Sequence, residues 1–144
     1  MKKFFSMFTA VLLSAAAFQA FGQEQEWVNY SNFTAVTDVE PVGDHLWITA
    51  KGGVVDINTT TLAKTYYKKG DAGLPSSLVE QVALDATSGT IWVGTYDAGV
   101  VEWDGDNWLS YDYPTYFLMY RMKFDDFGDL WLQTDAGLYK FDTD

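Results

Sequence analysis

The chain has 144 residues, and its 20 acidic side chains outnumber the 9 Lys and Arg residues, which gives a formal net charge of −11 at pH 7. Such a surface repels phosphate groups, so nucleic acids and anionic lipid surfaces are excluded as partner classes. The chain has no cysteine and therefore no disulfide, and with 48% hydrophobic and 17% aromatic residues it is too apolar to be disordered.

The first 22 residues have the pattern of a secretory signal peptide. Lys2 and Lys3 precede an apolar run over residues 4–21, and the small residues Ala20 and Gly22 fit cleavage before Gln23. A retained membrane anchor is the alternative, but it needs ~20 clean apolar residues, and this run is interrupted by polar side chains. We therefore expect residues 1–22 to be removed and residues 23–144 to be periplasmic or secreted, with no membrane span after cleavage.

Three segments further along the chain repeat one pattern. Each has an apolar strand centred on Trp, a short turn that ends in Gly, and a second strand; the segments are residues 45–57, 90–103 and 129–141. An alternating stretch precedes each segment (residues 35–39, 78–84 and 117–124), and a further strand follows the first two (residues 64–67 and 107–111). Short strands in a repeat of about 40–45 residues are typical of a β-propeller blade, whose four strands are termed a, b, c and d.

The two ends of the expected mature chain complement one another. Residues 26–30 resemble the d strand at residues 107–111, whereas the sequence ends just after a c strand. The strand order is therefore d, abcd, abcd, abc, and the first strand can complete the last blade. The sequence predicts an all-β fold of about three four-stranded antiparallel blades, a partial propeller formed by residues 23–144.

Residues that recur at the same position of each repeat predict how the blades pack and where the backbone is unusual. Because Trp47, Trp92 and Trp131 recur at one strand position, we expect them to pack between blades. We expect Gly53, Gly99 and Gly137 to adopt backbone conformations that a side chain would disturb, since each follows a tight turn. We also expect two exposed apolar end faces, lined by Val36, Val54, Leu118 and Leu138.

The second repeat carries a recognisable set of residues. The set comprises Leu74-Pro75-Ser76-Ser77, Asp85, Gly89, Ile91-Trp92-Val93-Gly94-Thr95, Gly99-Val100 and Trp103-Asp104. It resembles the two-component regulator propeller repeat, which occurs in periplasmic sensors of hybrid histidine kinases. The resemblance implies a propeller fold and a sensor-like role. Family members carry many repeats, whereas three are present here, fewer than the 4–8 blades of a closed propeller.

No constellation of residues in the sequence indicates catalysis. His45 occupies the turn position that Thr90 and Asp129 hold in the other repeats, so we interpret it as a turn residue rather than a base or metal ligand. Acidic pairs such as Asp104 and Asp106 lack the spacing of a calcium loop and fit tight turns. We therefore predict no catalytic residue, no metal and no cofactor; a propeller lyase is a less favoured alternative.

In a propeller the b–c and d–a loops share one face, and this face holds the candidate ligand-binding residues. They are Lys51, Tyr96, Asp97 and Asp135 in b–c loops, and Tyr113 and Tyr116 in a d–a loop. Aromatic rings beside acids and a lysine suit a glycan, although the tyrosines can instead pack on neighbouring blades. We predict a non-enzymatic ligand-binding module with a glycan ligand, working as a homodimer that completes a six-bladed ring or with a partner sensor protein. A truncated or scaffolding fragment of a larger sensor, with no small ligand, is the alternative.

Overall fold

The computed structural model describes residues 35–113 and 118–142, which form three antiparallel sheets. The first sheet contains β1 (Val36–Val42), β2 (His45–Ala50), β3 (Gly53–Asn58) and β4 (Lys64–Tyr67), and the second contains β5 (Val79–Leu84), β6 (Ile91–Thr95), β7 (Val100–Trp103) and β8 (Trp108–Tyr111). The third contains β9 (Met119–Phe124), β10 (Leu130–Thr134) and β11 (Gly137–Phe141). A short 3-10 turn, Asp71–Gly73, lies between the first two sheets in the sequence.

Within each sheet the spatial order of the strands is their order in the chain. Each sheet is therefore an up-and-down blade in which strands a, b, c and d follow one another, and the predicted fold class is confirmed. The third sheet has three strands among the described residues, with β11 at one edge. The d strand predicted at residues 26–30 lies outside the described residues.

The a strands lie side by side along the inner edge of the three blades, since β1 contacts β5 and β5 contacts β9. Two hydrogen bonds join the first pair. The Thr37 hydroxyl donates to the Val79 carbonyl (3.0 Å), and the Val82 N–H donates to the Asp38 carboxylate (3.2 Å). These contacts hold the first and second blades in register at the propeller axis.

Two of the three buried hydrophobic clusters in the described residues are seams between neighbouring sheets, and the third, formed by Ile48, Val55 and Ile57, lies within the first sheet. Trp47 and Val54 of the first sheet pack against second-sheet residues that include Val93 and Trp108. Trp92 of the second sheet packs in the same way against the third, within a cluster formed by Ala83, Val100, Met119, Met122, Leu130 and Leu132. Burying each such side chain contributes about 1.5–3 kcal/mol, so the repeated Trp position holds consecutive blades together. Trp131 is half-buried, because no further sheet follows it among the described residues.

The glycine after each b–c turn has the predicted unusual backbone. The φ angles of Gly53, Gly99 and Gly137 are 144°, 79° and 131°, all in the region that side chains disfavour. At Gly53 and Gly99 the space for a Cβ atom is occupied by the carbonyl oxygen of the residue that ends strand d, Tyr67 or Tyr111. Glycine is thus required at these two positions both by backbone conformation and by the close approach of strand d.

The expectation about the exposed end faces is correct for Val36 and Leu138 and wrong for Val54, and Leu118 is half-buried. Val36 and Leu138 are 52% and 68% exposed, whereas Val54 is fully buried. Val54 and Leu138 occupy the same position in their repeats, one residue after the glycine. Val54 faces the second sheet and is covered by it, but Leu138 belongs to the last described blade. No helix within the described residues is long and apolar enough to cross a membrane.

Candidate functional site

The b–c turns of the first two blades converge on one cavity. The Gly52 N–H donates to the Ser77 carbonyl, and the Tyr96 N–H donates to the Leu78 carbonyl (both 2.9 Å), so both turns are held by the segment that precedes β5. The cavity has a volume of about 240 Å³, and its lining comprises Thr37, Lys51, Leu78, Val79, Glu80 and Tyr96. Two predicted site residues, Lys51 and Tyr96, are therefore brought together.

Glu80 is the residue of this cavity that the sequence interpretation missed. It is the second residue of β5 and lies between Val79, which is buried, and Gln81, which is half-buried. The available signal was its position just after the Leu-Pro-Ser-Ser turn, on the strand that enters the blade from the b–c face. With Glu80 included, the cavity offers an aromatic ring, an ammonium donor and a carboxylate acceptor.

The predicted site residues Asp97 and Asp135 act as turn organisers. The Ser76 hydroxyl donates to Asp97 (2.5 Å) and accepts from the Leu78 N–H (2.9 Å), which links the turn to the start of β5. Asp135 accepts from the Leu118 N–H (2.8 Å) and joins its own turn to the entry of β9 in the same way. Each carboxylate therefore joins a b–c turn to the loop before strand a of the same blade.

Of the two tyrosines predicted as ligand-binding residues in the d–a loop, the structure describes Tyr113 only. Tyr113 packs beside the second seam, and its hydroxyl donates to the Thr95 carbonyl (2.9 Å). Burial raises the pKa of the Tyr113 hydroxyl well above its usual range. These contacts favour the packing interpretation for Tyr113. Tyr116 lies outside the described residues.

A second, polar groove runs along the a strands. It has a volume of about 410 Å³ and shares Thr37 with the Lys51–Tyr96 cavity. Its charged and aromatic lining residues are Asp38, Glu40, Tyr120, Arg121, Lys123 and Phe124. Partial burial, and then the charge of Asp38, raise the pKa of Glu40, while Lys123 opposes the shift. The groove extends the polar surface from the b–c turns along the propeller axis.

His45 belongs to a third cavity, at the opposite end of the blades. It begins β2, and its Nδ1 lies 2.7 Å from a carboxylate oxygen of Asp56 on β3. The Asp56 hydrogen bond is the largest cause of a raised His45 pKa. The cavity, of about 550 Å³, is lined by residues that include Trp47, Asp56, Tyr67 and Trp103. The interpretation of His45 as a turn residue is therefore incomplete, because the strand register brings it beside an acid.

The remaining acidic turn residues fit the structural interpretation. Asp104 accepts hydrogen bonds from the N–H groups of Asp106 (2.8 Å) and Asn107 (2.6 Å). Asp125 accepts from the Phe127 N–H (2.9 Å) with one oxygen and from the indole N–H of strand β10 (2.8 Å) with the other. Hydrogen bonding to the charged form lowers the pKa of both carboxyl groups. These carboxylates shape their own turns, as the sequence predicts.

No family model and no curated protein matches the chain. Among solved structures, the extracellular domain of the hybrid two-component system BT4673 from B. thetaiotaomicron superposes with a TM-score of 0.68 at 19% identity, over 76% of this chain and 16% of that domain. The corresponding domain of BT3049 gives 0.64 at 22% identity, over 76% and 16%. This chain has a propeller fold. A streptogramin B lyase is also similar, with a TM-score of 0.56 at 13% identity over 76% of this chain and 41% of the lyase.

These likenesses agree with the resemblance of the repeats to sensor propellers. The chain spans about a sixth of the length of the two extracellular domains. At such identities the comparison shows the fold alone, since propellers support unrelated functions on one architecture. The cavities of this chain, rather than its fold, therefore indicate its function.

Proposed function

We propose that this chain is an exported, non-enzymatic ligand-binding module of the sensor type, and that it binds a glycan at the b–c end of the blades. The observation that carries the proposal is the convergence of two successive b–c turns on one cavity, with Lys51, Glu80 and Tyr96 around it. The signal-peptide pattern supports export. The likeness to extracellular domains of two-component systems supports a sensor role.

The chemistry of this cavity suits sugar hydroxyls. The ring of Tyr96 offers an apolar surface for the C–H face of a pyranose, while Lys51 donates and Glu80 accepts hydrogen bonds. Charges of both signs in one small cavity match hydroxyl groups, which donate and accept, better than they match a simple ion. The adjoining groove along the a strands offers further polar contacts to a longer glycan.

A glycan array followed by calorimetry tests the proposal. For a glycan found on the array, we expect Tyr96→Ala to weaken binding about tenfold or more, because a stacking aromatic is a frequent anchor, with the melting curve unchanged. Phe127→Ala is the matched control, since Phe127 is an aromatic residue that is 89% exposed on an a–b turn at the opposite end. Absence of any bound glycan, or equal weakening by both variants, would contradict the proposal.

A second candidate function, assembly with another copy of the chain, is supported by the outer face of the third sheet. Leu138 is 68% exposed, although its repeat equivalents Val54 and Val100 are buried. A second copy on this face would raise the number of blades to six, within the range of closed propellers. Light scattering should then report a dimer for the wild type and a monomer for Leu138→Asp. A wild-type monomer at all concentrations would rule out this candidate.

A further inference from the structure

The two seams between blades contain the same aromatic arrangement. In the first seam Tyr67 stacks on Trp47 (ring centroids 6.1 Å apart) and contacts Trp103 of the next blade (4.9 Å). In the second seam Tyr111 stacks on Trp92 (5.2 Å) and contacts Phe141 of the next blade (5.3 Å). Each seam therefore combines the Trp of strand b and the Tyr of strand d with an aromatic residue from the following blade. The polar groups of the Trp and Tyr side chains therefore occupy equivalent positions in the two seams.

In the second blade the Trp of strand b and the Tyr of strand d both have hydrogen-bond partners within the protein, and so does the Trp of strand b in the third blade. The indole N–H of Trp92 donates to the Thr90 hydroxyl (3.0 Å), and that of Trp131 donates to Asp125 (2.8 Å). The Tyr111 hydroxyl donates to the Glu102 carboxylate (3.0 Å). The a–b turn supplies the partner of the Trp, and strand c supplies the partner of the Tyr.

In the first blade neither equivalent group has a hydrogen-bond partner among the described residues. The a–b turn here is only Gly43-Asp44, too short to place a hydroxyl or carboxylate at the indole of Trp47. On strand c the acid is Asp56, one methylene shorter than a glutamate, and it bonds His45 rather than Tyr67. Within the described part of the chain, the only fully buried side-chain N or O atom that lacks a partner is the Trp108 indole nitrogen. The Trp47 N–H and the Tyr67 hydroxyl are therefore not fully buried, although the Trp47 side chain as a whole is only 6% exposed.

Both of these open groups belong to side chains that line the 550 Å³ cavity beside His45. The Asp56 side chain is 14% exposed and the His45 side chain 40% exposed, so the pair is also within reach of a molecule in the cavity. The same space is bordered by Trp103, Ser88 and Thr90. Aromatic surface, donors and acceptors thus face one volume.

We propose that this first-seam cavity is a second ligand-binding site, separate from the b–c end, and that it takes a neutral hydroxyl-bearing ring such as a single sugar unit. The Trp47 N–H requires an acceptor from the ligand, which a simple cation cannot provide. Asp56 and Asp104 disfavour an anion. A hydroxyl group serves both needs, because it accepts from Trp47 and donates to Asp56, and the C–H face of the ring stacks on aromatic surface.

The experiment follows the indole N–H resonances of the ¹⁵N-labelled protein by NMR, with the Trp47 signal assigned from its loss in Trp47→Phe. The protein is titrated with glucose, galactose, mannose and N-acetylglucosamine, and separately with methylammonium and acetate. We expect at least one neutral sugar to shift the Trp47 signal in a saturable way. No saturable shift with any of the four sugars, or a larger saturable shift with either ion, would overturn the proposal.

Three variants separate this site from the one under "Proposed function". Tyr67→Phe removes a hydroxyl that has no partner in the described residues, so we expect unchanged stability and affinity reduced about fivefold to tenfold. Tyr111→Phe makes the same change in the second seam and should leave the Trp47 titration unchanged. Tyr96→Ala should also leave it unchanged. Wild-type affinity in Tyr67→Phe would refute the seam site, whereas loss in Tyr96→Ala alone would assign the sugar to the b–c end.

Discussion

Gly99 and Gly89 form a natural pair for measuring the close approach of strand d to the b–c turn. Both have a φ angle of 79°, so an alanine at either position meets the same backbone strain. No heavy atom of the described residues lies within 4 Å of a Cβ atom built at Gly89. At Gly99 the added Cβ would lie 2.9 Å from the carbonyl carbon of Tyr111 and closer still to its oxygen. The difference between the two variants therefore isolates the collision.

The expected losses of stability follow from the backbone strain and from the collision with Tyr111. A left-handed backbone destabilises the folded state by about 1–2 kcal/mol when the residue has a side chain. Alanine also lowers the entropy of the unfolded chain, which offsets about 0.4–1 kcal/mol of that loss. Gly89→Ala should therefore lower the free energy of unfolding by about 1 kcal/mol. Gly99→Ala must also displace Tyr111, which pairs with Val100. Loss of that strand pairing and the accompanying backbone strain add about 2 kcal/mol.

Urea denaturation of the wild type and both variants, followed by tryptophan fluorescence, measures this difference. We expect Gly99→Ala to be about 2 kcal/mol less stable than Gly89→Ala, which corresponds to a melting temperature roughly 6–12 °C lower. Equal unfolding free energies for the two variants would show that strand β8 does not approach the turn as closely as the structure indicates. A changed denaturant slope would instead point to a change in the unfolded or native ensemble.

Three further predictions concern side-chain contacts. The hydrogen bond to Asp56 raises the His45 pKa above its ordinary 6.5. The pair therefore stabilises the fold below pH 6.5, and this contribution is lost as the pH rises through the folded-state pKa. His45→Gln should accordingly lower the melting temperature more at about pH 5 than at about pH 8. Tyr113→Phe should cost about 1 kcal/mol in urea denaturation, because it removes the donor to the Thr95 carbonyl; wild-type stability would contradict that bond. For Asp125, whose pKa is lowered, the contribution is present above its ordinary 3.8 and lost as pH falls through the folded-state value. Asp125→Ala should therefore lower the melting temperature at neutral pH and approach the wild type in acid, as read by circular dichroism.

The blades could be predicted from the sequence because each repeat carries several independent signals. Trp, a tight turn and Gly recur in the same order in each repeat. Each of the three indicates a different constraint: packing, chain reversal and a left-handed backbone. The structure places β2, β6 and β10 on the predicted Trp strands. Periodicity could not distinguish Val54 from Leu138, however. Their local sequences are equivalent, and only the presence or absence of a following sheet decides their exposure.

The candidate sites were predicted less completely, because side-chain partners depend on register and loop length. Loop position placed Lys51 and Tyr96 on one face of the fold, and both line one cavity. It did not show that Asp97 accepts a hydrogen bond from Ser76, which lies 21 residues earlier. The pairing of His45 with Asp56 requires the hairpin register in which Trp47 stands opposite Asp56. No recurring motif marks that pair, since Thr90 and Glu102 occupy the same positions in the next repeat.

The second seam serves as an internal comparison for the first, because both are built from the same repeat. The first and second seams share a stacked Trp–Tyr pair and an aromatic residue of the next blade. The loss of polar partners in the first seam therefore comes from its short a–b turn and its shorter acid on strand c, and not from a change of fold. An unbonded donor in a dry core costs about 1–3 kcal/mol, which would select against Trp47 and Tyr67 at these positions. An adjoining cavity removes most of that cost, since water can serve both groups. A ligand hydroxyl must then displace this water, so each hydrogen bond in the first seam raises affinity by only about tenfold or less, while the Trp47 N–H and Asp56 decide which hydroxyl geometry is accepted.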